Sequence, residues 1–171
     1  MEKKYEFTEE TIEVNGRILH RIKAVRDFGH VQAGDLGGFI EKEGNLSQKG
    51  RAWVFGDALV HDNALVLGDA RVFGDAKVFD YADVCGYADV FGNAEIKRDT
   101  DYIVFKNFWS SGRFFTWTRS NNMWKVGCFY GTGKELIKKA YKDSEKSGRE
   151  YERVVRYVES ILADEKKEEQ P

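Results

Sequence analysis

An unbroken six-residue period in the middle of the chain constrains its fold more than any other feature. Alanine occupies every sixth position from Ala52 to Ala94, and Val or Ile follows two places after each alanine, from Val54 to Ile96. A fixed internal period of this kind indicates a solenoid. The Ala-x-Val segments alternate like short strands with one buried face, and pairs such as Gly-Asp or Asp-Asn between them are typical of turns.

Three strands and three corners would make one coil of eighteen residues. We therefore expect a parallel β-helix over residues 38–97, with Ala and Val filling a thin core. Stacking at eighteen-residue intervals places Phe55, Phe73 and Phe91 one above another, with Trp53 beside them. An open apolar ladder is rare on soluble monomers, so we expect either a neighbouring subunit or the flanking segments to cover it.

This hexad pattern resembles the hexapeptide-repeat proteins, whose fold is a left-handed parallel β-helix. Proteins of that family commonly form homotrimers packed through one face of the helix. The resemblance therefore implies a homotrimer, and the predicted oligomer interface consists of Trp53, Phe55, Phe73 and Phe91.

The segments on either side of the repeat show different patterns. Residues 1–37 predict a hairpin that turns at Asn15-Gly16 and caps the solenoid. Residues 98–163 predict a β-meander followed by an amphipathic helix, which begins at a Thr132–Glu135 capping box and is broken near Ser147-Gly148. Residues 164–171 are predicted to be disordered. The predicted fold class is thus mainly β: a left-handed parallel β-helix with an N-terminal hairpin cap and a C-terminal meander plus α-helix.

The meander-plus-helix tail and the entry sequence GDLGGFI at residues 34–40 resemble small hexapeptide-repeat proteins carried by phages and prophages. That resemblance covers almost the whole chain. It implies a phage protein acting in the host cytoplasm rather than a particular chemistry.

Charge is unevenly distributed along the 171 residues. Residues 50–97 carry four basic and eight acidic side chains, whereas residues 98–130 carry five basic and two acidic ones. The acidic repeat argues against nucleic-acid binding along the solenoid, because phosphates would be repelled there. The two cysteines, Cys85 and Cys128, lack metal or disulfide spacing, and no stretch resembles a signal peptide or a membrane span. We therefore expect a cytoplasmic protein without membrane contact.

Motifs for catalysis are weak in this sequence. Hexapeptide-repeat acyltransferases use a histidine as general base, which makes His61 the candidate residue if the chain is a transferase. The uninterrupted hexads lack the loop that builds such sites, so the sequence favours a protein that is not an enzyme. His20, His30 and His61 are too scattered to predict a metal site, and no cofactor is predicted.

Aromatic rings and cations are concentrated in the meander, where arginines could bind phosphate and rings could stack on a base. The predicted ligand-binding residues are Arg113, Trp117, Arg119, Trp124, Lys125, Tyr130 and Lys134. In the competing interpretation, these aromatic rings simply pack the sheet against the amphipathic helix.

Three functions remain open at this point. The leading hypothesis is a non-catalytic, phage-type binding protein that sequesters an anionic nucleotide-like ligand, such as a host immune signal, at trimer junctions. The second is a protein–protein module that inhibits a host protein, and the third is an acyltransferase.

Overall fold

The computed structural model describes residues 2–169, and it confirms a mainly β fold built around a parallel β-helix. The N-terminal hairpin consists of β1 (Tyr5–Val14) and β2 (Arg17–Ala24), which pair antiparallel. Asn15 and Gly16 both have positive φ, 52° and 78°, as a type I′ turn requires. Strand β2 then pairs with β3 (Leu36–Ile40), the first strand of the solenoid, so the hairpin continues one sheet of the β-helix.

Eight two-residue strands follow, one in each hexad. They are β4 (Trp53–Val54), β5 (Leu59–Val60), β6 (Leu65–Val66), β7 (Arg71–Val72), β8 (Lys77–Val78), β9 (Asp83–Val84), β10 (Asp89–Val90) and β11 (Glu95–Ile96). Their parallel pairing joins residues eighteen apart, as in Leu59 with Lys77 and Lys77 with Glu95. The repeated alanines and Val or Ile residues are at most 1% exposed. Inward packing of these residues therefore holds the coils together.

Side chains from the flanking segments close both ends of the β-helix. In the last coil, three backbone N–H groups donate to side chains of the C-terminal segment: Asp83 N to Asp99 Oδ1, Asp89 N to Thr116 Oγ1 and Glu95 N to Ser120 Oγ, at 2.8, 2.9 and 2.8 Å. At the first coil, the Lys4 ammonium donates to Ala52 O at 2.8 Å and the Tyr5 hydroxyl donates to Leu46 O at 2.9 Å. These bonds protect strand edges that would otherwise pair with other chains.

The C-terminal segment folds as a meander of β12 (Tyr102–Lys106), β13 (Phe114–Thr118), β14 (Met123–Val126) and β15 (Phe129–Gly131). Helices α1 (Gly133–Asp143) and α2 (Glu145–Glu168) follow. Two single 3-10 turns, Glu43–Asn45 and Asp99–Asp101, lie just after the first solenoid strand and just before the meander. The meander lies between the last coil and the helices. We call the meander and these two helices the C-terminal cap.

The predicted position of the break in the helical tail is wrong in detail. The helix breaks at Ser144, whose side chain caps α2 by accepting from Ser147 N at 3.1 Å. Gly148 instead lies inside α2. Only glycine fits at this position, because a Cβ would stand 2.2 Å from the Tyr141 ring. The predicted capping box at Thr132 and Glu135 is present.

The predicted disordered tail is also helical for most of its length. Helix α2 continues to Glu168, and Glu165 forms an ion pair with Arg119 of the meander. Gln170 and Pro171, which the same prediction included, lie outside the described residues. Among residues 2–169, neither helix has an apolar stretch long enough to cross a membrane.

Candidate ligand-binding groove

A groove of about 600 Å³ runs along one face of the solenoid, between the N-terminal segment and the C-terminal cap. Its floor comes from three columns of outward side chains on successive coils. Its walls are Gly29–Val31 at one end and Arg113, Phe114 and Gly127–Cys128 at the other. A volume of this size falls within the range of small-molecule sites. The eighteen-residue spacing of the coils therefore positions the floor, and the two flanking segments bound it.

Two arginine–aspartate pairs lie on the groove floor. Arg51 donates to both carboxylate oxygens of Asp69, at 3.0 and 2.5 Å, and Arg71 donates in the same way to Asp89, at 2.8 and 2.6 Å. Each pair joins residues eighteen apart, so the coil spacing sets the geometry. The hydrogen bonds from Arg51 lower the pKa of Asp69. Asp69 is thus held as an anion, and both guanidinium groups have fixed orientations.

The rim next to the C-terminal cap carries a free cation and an aromatic stack. Arg113 is exposed and forms no ion pair with any of residues 2–169. Beside it, the rings of Tyr87 and Phe114 stack with centroids 4.2 Å apart and planes at 6°. Tyr87 remains 49% exposed. The rim can therefore offer an anion a guanidinium and offer a planar group an aromatic surface.

Of the predicted ligand-binding residues, only Arg113 lines this groove. Trp117 and Trp124 are 1% and 2% exposed and pack in the core between the sheet and the helices. Arg119 points to α2, where Glu165 accepts two hydrogen bonds from it at 2.6 and 3.2 Å. For the two tryptophans, the competing interpretation as core residues is correct.

The remaining predicted residues are also directed elsewhere. The Lys125 ammonium donates to Gly127 O at 2.6 Å and lies 4.6 Å from the centre of the Phe91 ring. The Tyr130 ring packs against the same phenylalanine at 5.0 Å. Lys134 is exposed in the first turn of α1. The structure does not bring these residues together into one site.

Arg51, Arg71 and Tyr87 were not among the predicted ligand-binding residues. A signal for them was present, because each lies in a column with an aspartate eighteen residues away: Arg51 and Tyr87 with Asp69, and Arg71 with Asp89. Grouping outward residues by column, rather than searching only the meander, would have found the groove floor.

The phenylalanine ladder is present, and the chain itself covers part of it. Phe55 and Phe73 stack at 4.4 Å and 7°, and Phe73 and Phe91 lie at 5.5 Å and 44°. Trp53 is only 1% exposed, because Tyr5 and Phe28 pack against it at 6.1 and 5.3 Å. Trp53 is therefore not accessible to a neighbouring subunit in this conformation. The homotrimer stays a prediction.

His61 belongs to a polar cluster outside the groove, next to the N-terminal hairpin. Its Nδ1 lies 2.8 Å from Asp62 Oδ2, and its side chain is buried against the Phe79 ring at 5.1 Å. Glu41, His61 and Asp62 could supply three ligand atoms within 4.8 Å of one another. Arg17, however, pairs with both carboxylates. The cluster therefore fastens the hairpin to the coil, and its side chains are already engaged with one another.

Comparisons with protein families and with curated proteins find no match to this chain.

Proposed function

We propose that this protein is a non-catalytic binding protein that holds an anionic, nucleotide-like ligand in the groove between its two flanking segments. Following the resemblance to phage-borne proteins, we propose that the ligand is a host signal that the protein sequesters. We place the ligand in this groove, which residues of a single chain line; its location at a trimer junction stays a prediction.

The observation that carries this proposal is the position of Arg113. It is the groove arginine without a carboxylate partner among residues 2–169, whereas Arg51 and Arg71 each hold an aspartate. A guanidinium group binds phosphate with two parallel hydrogen bonds, and such charged bonds are the strongest that a groove of this kind can offer. The groove therefore has one cation free for an anion.

The neighbouring aromatic stack supports a planar group on the same ligand. Tyr87 is fixed by Phe114 behind it, so binding would not have to order the tyrosine ring. Flat rings stack on nucleobases with little preference for sequence. A phosphate at Arg113 and a base at Tyr87 would together use both features of the rim.

A binding role fits the chemistry of the groove better than catalysis. Asp69 and Asp89 each accept hydrogen bonds from an arginine on both carboxylate oxygens, which makes either one a poor general base. The paired Arg51 and Arg71 shape the groove floor and fix its charges. The unpaired Arg113 attracts an anion.

Isothermal titration calorimetry with nucleoside mono- and diphosphates of several bases tests the proposal. We expect the Arg113→Ala variant to lose about ten- to a hundredfold in affinity, the usual effect of removing a charged hydrogen bond. The matched control is Lys138→Ala, which removes an exposed cation of α1 outside the groove. Equal affinities of wild type and Arg113→Ala for every bound nucleotide would show that the groove is not the site.

A specific observation favours a second function, inhibition of a host protein. Phe108 is 80% exposed on the loop between β12 and β13, and Tyr81 is 77% exposed on the solenoid. Large exposed rings are common anchors in protein interfaces. Should the nucleotide panel give no heat of binding, a stoichiometric host partner whose capture is lost in Phe108→Ser would support this alternative.

A further inference from the structure

A second, smaller cavity adjoins the groove at Arg113. It has a volume of about 290 Å³ and lies between the meander and the two helices of the C-terminal cap. Arg113, Gly127 and Cys128 line both cavities. The free guanidinium group therefore stands where the two spaces meet, and an anion bound to it could carry substituents into both.

A buried hydroxyl lines this second cavity with its proton unused. Tyr151 is 8% exposed, and its hydroxyl accepts a hydrogen bond from Asn107 Nδ2 at 3.0 Å. Among residues 2–169, no group accepts the hydroxyl's own proton. Asn107 cannot, because its Oδ1 already accepts from the backbone and side chain of Ser110 at 2.9 and 3.0 Å. The hydroxyl proton is therefore available to a ligand oxygen in the cavity.

The same hydroxyl stays protonated at neutral pH, because burial raises the pKa of Tyr151 above its ordinary value. It can therefore act as a hydrogen-bond donor at neutral pH. Lys139 of α1 lines the same cavity and supplies another donor. Both groups prefer oxygen acceptors.

Apolar side chains also line this cavity, namely those of Val126, Phe129 and Leu136. A lining that combines apolar surface with hydrogen-bonding groups suits a small ring with C–H faces and hydroxyl edges. A sugar has this chemistry, and one fits a volume of this size more readily than a second nucleobase with its own ribose.

We propose that the ligand has two parts, namely a nucleotide whose phosphate is held by Arg113 and a sugar, esterified to that phosphate, that lies in the second cavity against Tyr151. The inference rests on the proposed function, because it assigns the nucleotide part to the groove. It adds the chemical class of the ligand, a sugar nucleotide, and a further binding residue.

Affinities for matched ligand pairs test this inference. The probes are ADP against ADP-ribose and UDP against UDP-glucose, measured by calorimetry on the whole chain. The free diphosphate carries more negative charge than its sugar ester, so attraction to Arg113 alone would favour the diphosphate. We expect the opposite order, with the sugar nucleotide binding at least tenfold more tightly in one of the pairs.

Variants of the second cavity then locate the sugar. Tyr151→Phe and Lys139→Ala should each reduce the affinity for the sugar nucleotide towards that of the diphosphate, and leave the affinity for the diphosphate unchanged. Lys139 is exposed, so its replacement keeps the test valid if Tyr151→Phe disturbs folding. Lys138→Ala, one residue away, is the control and should change neither affinity.

The outcomes separate this inference from the proposed function. Diphosphates that bind as tightly as their sugar esters would overturn the two-part ligand and leave the nucleotide groove intact. A preference for the sugar ester that survives both Tyr151→Phe and Lys139→Ala would also overturn it, because the sugar would then lie elsewhere. Failure of all four nucleotides to bind would overturn both proposals.

Discussion

The solenoid and the C-terminal cap are stabilised in different ways, although they are continuous in the chain. The solenoid core consists of alanine with valine or isoleucine repeated at fixed spacing, whereas the cap core consists of rings such as Phe115, Trp117 and Trp124. Each inward position of the solenoid has the same surroundings as the position one coil away. Each position in the cap has unique surroundings. A periodic sequence therefore determines its own packing, and a non-periodic one depends on which distant elements come to cover it.

The candidate groove lies where these two kinds of structure meet. Its floor follows the solenoid spacing, since coils about 4.8 Å apart bring Arg71 directly next to Asp89. Its rim depends on one contact between the regions, the stack of Tyr87 from the solenoid on Phe114 from the cap. The solenoid thus positions the two arginine–aspartate pairs. The C-terminal cap adds Arg113, which has no such pair among residues 2–169.

The largest expected effect is a charge placed inside the repeat. Ala76 is 0% exposed and lies in one column with Ala58 and Ala94. Replacement by Asp buries a carboxylate without a partner, which should lower the free energy of unfolding by about 4 kcal/mol or more. Urea unfolding followed by circular dichroism measures the change. The control is Asp75→Ala on the exposed neighbour, and a similarly small effect for both variants would contradict the thin aliphatic core.

A second prediction compares the cap core with the ligand hypothesis for the same residue. Trp124 packs against Phe105 and Phe115 at 5.9 and 6.0 Å. Trp124→Ala should lower the free energy of unfolding by about 3–5 kcal/mol, because it leaves a cavity between the sheet and the helices. Hydrogen exchange should show faster exchange in α1 and α2, with the solenoid amides still protected.

A role of Trp124 in ligand binding would give a different outcome. A surface ring that stacks on a ligand could be removed with little change in stability. Unchanged thermal unfolding of Trp124→Ala, together with lost nucleotide binding, would return this tryptophan to the ligand site.

These two residues also show how much the sequence could predict. The burial of Ala76 follows from the hexad period alone, and alternation along β13 puts Trp117 and Thr116 on opposite faces of the sheet. Alternation cannot say what lies against each face, because that depends on the contact with helices some twenty to forty residues later. The sequence therefore could not show that Trp117 and Trp124 pack in the cap core, and Arg51 and Arg71 of the repeat were not among the predicted ligand-binding residues.

A third prediction tests the joint between the two regions. Thr116 is 1% exposed, and its hydroxyl accepts from Asp89 N at the end of the last coil. Thr116→Val keeps the shape but leaves that partly buried donor without an acceptor, which should cost about 1–3 kcal/mol of stability. Thr100→Val, at an exposed position of the adjoining turn, is the matched control. Equal melting temperatures for the two variants would mean that the last coil does not need the Thr116 hydroxyl as an acceptor.

The smallest expected effect concerns the end of α2, where periodicity gives no information and one ion pair supplies the contact. Glu165 accepts two hydrogen bonds from Arg119, although its side chain is 44% exposed. Glu165→Gln should speed amide exchange over residues 164–168 by only about two- to fivefold, since solvent screens exposed pairs. Glu168→Gln, in the same turn and without an ion pair among residues 2–169, should leave exchange unchanged.

The arginine lowers the pKa of Glu165, so the pair is fully formed at neutral pH and its contribution is lost as the pH falls through that lowered pKa. Wild type and Glu165→Gln should therefore converge in acid, and a difference that persisted there would mean that packing, rather than this charge pair, orders the end of the helix.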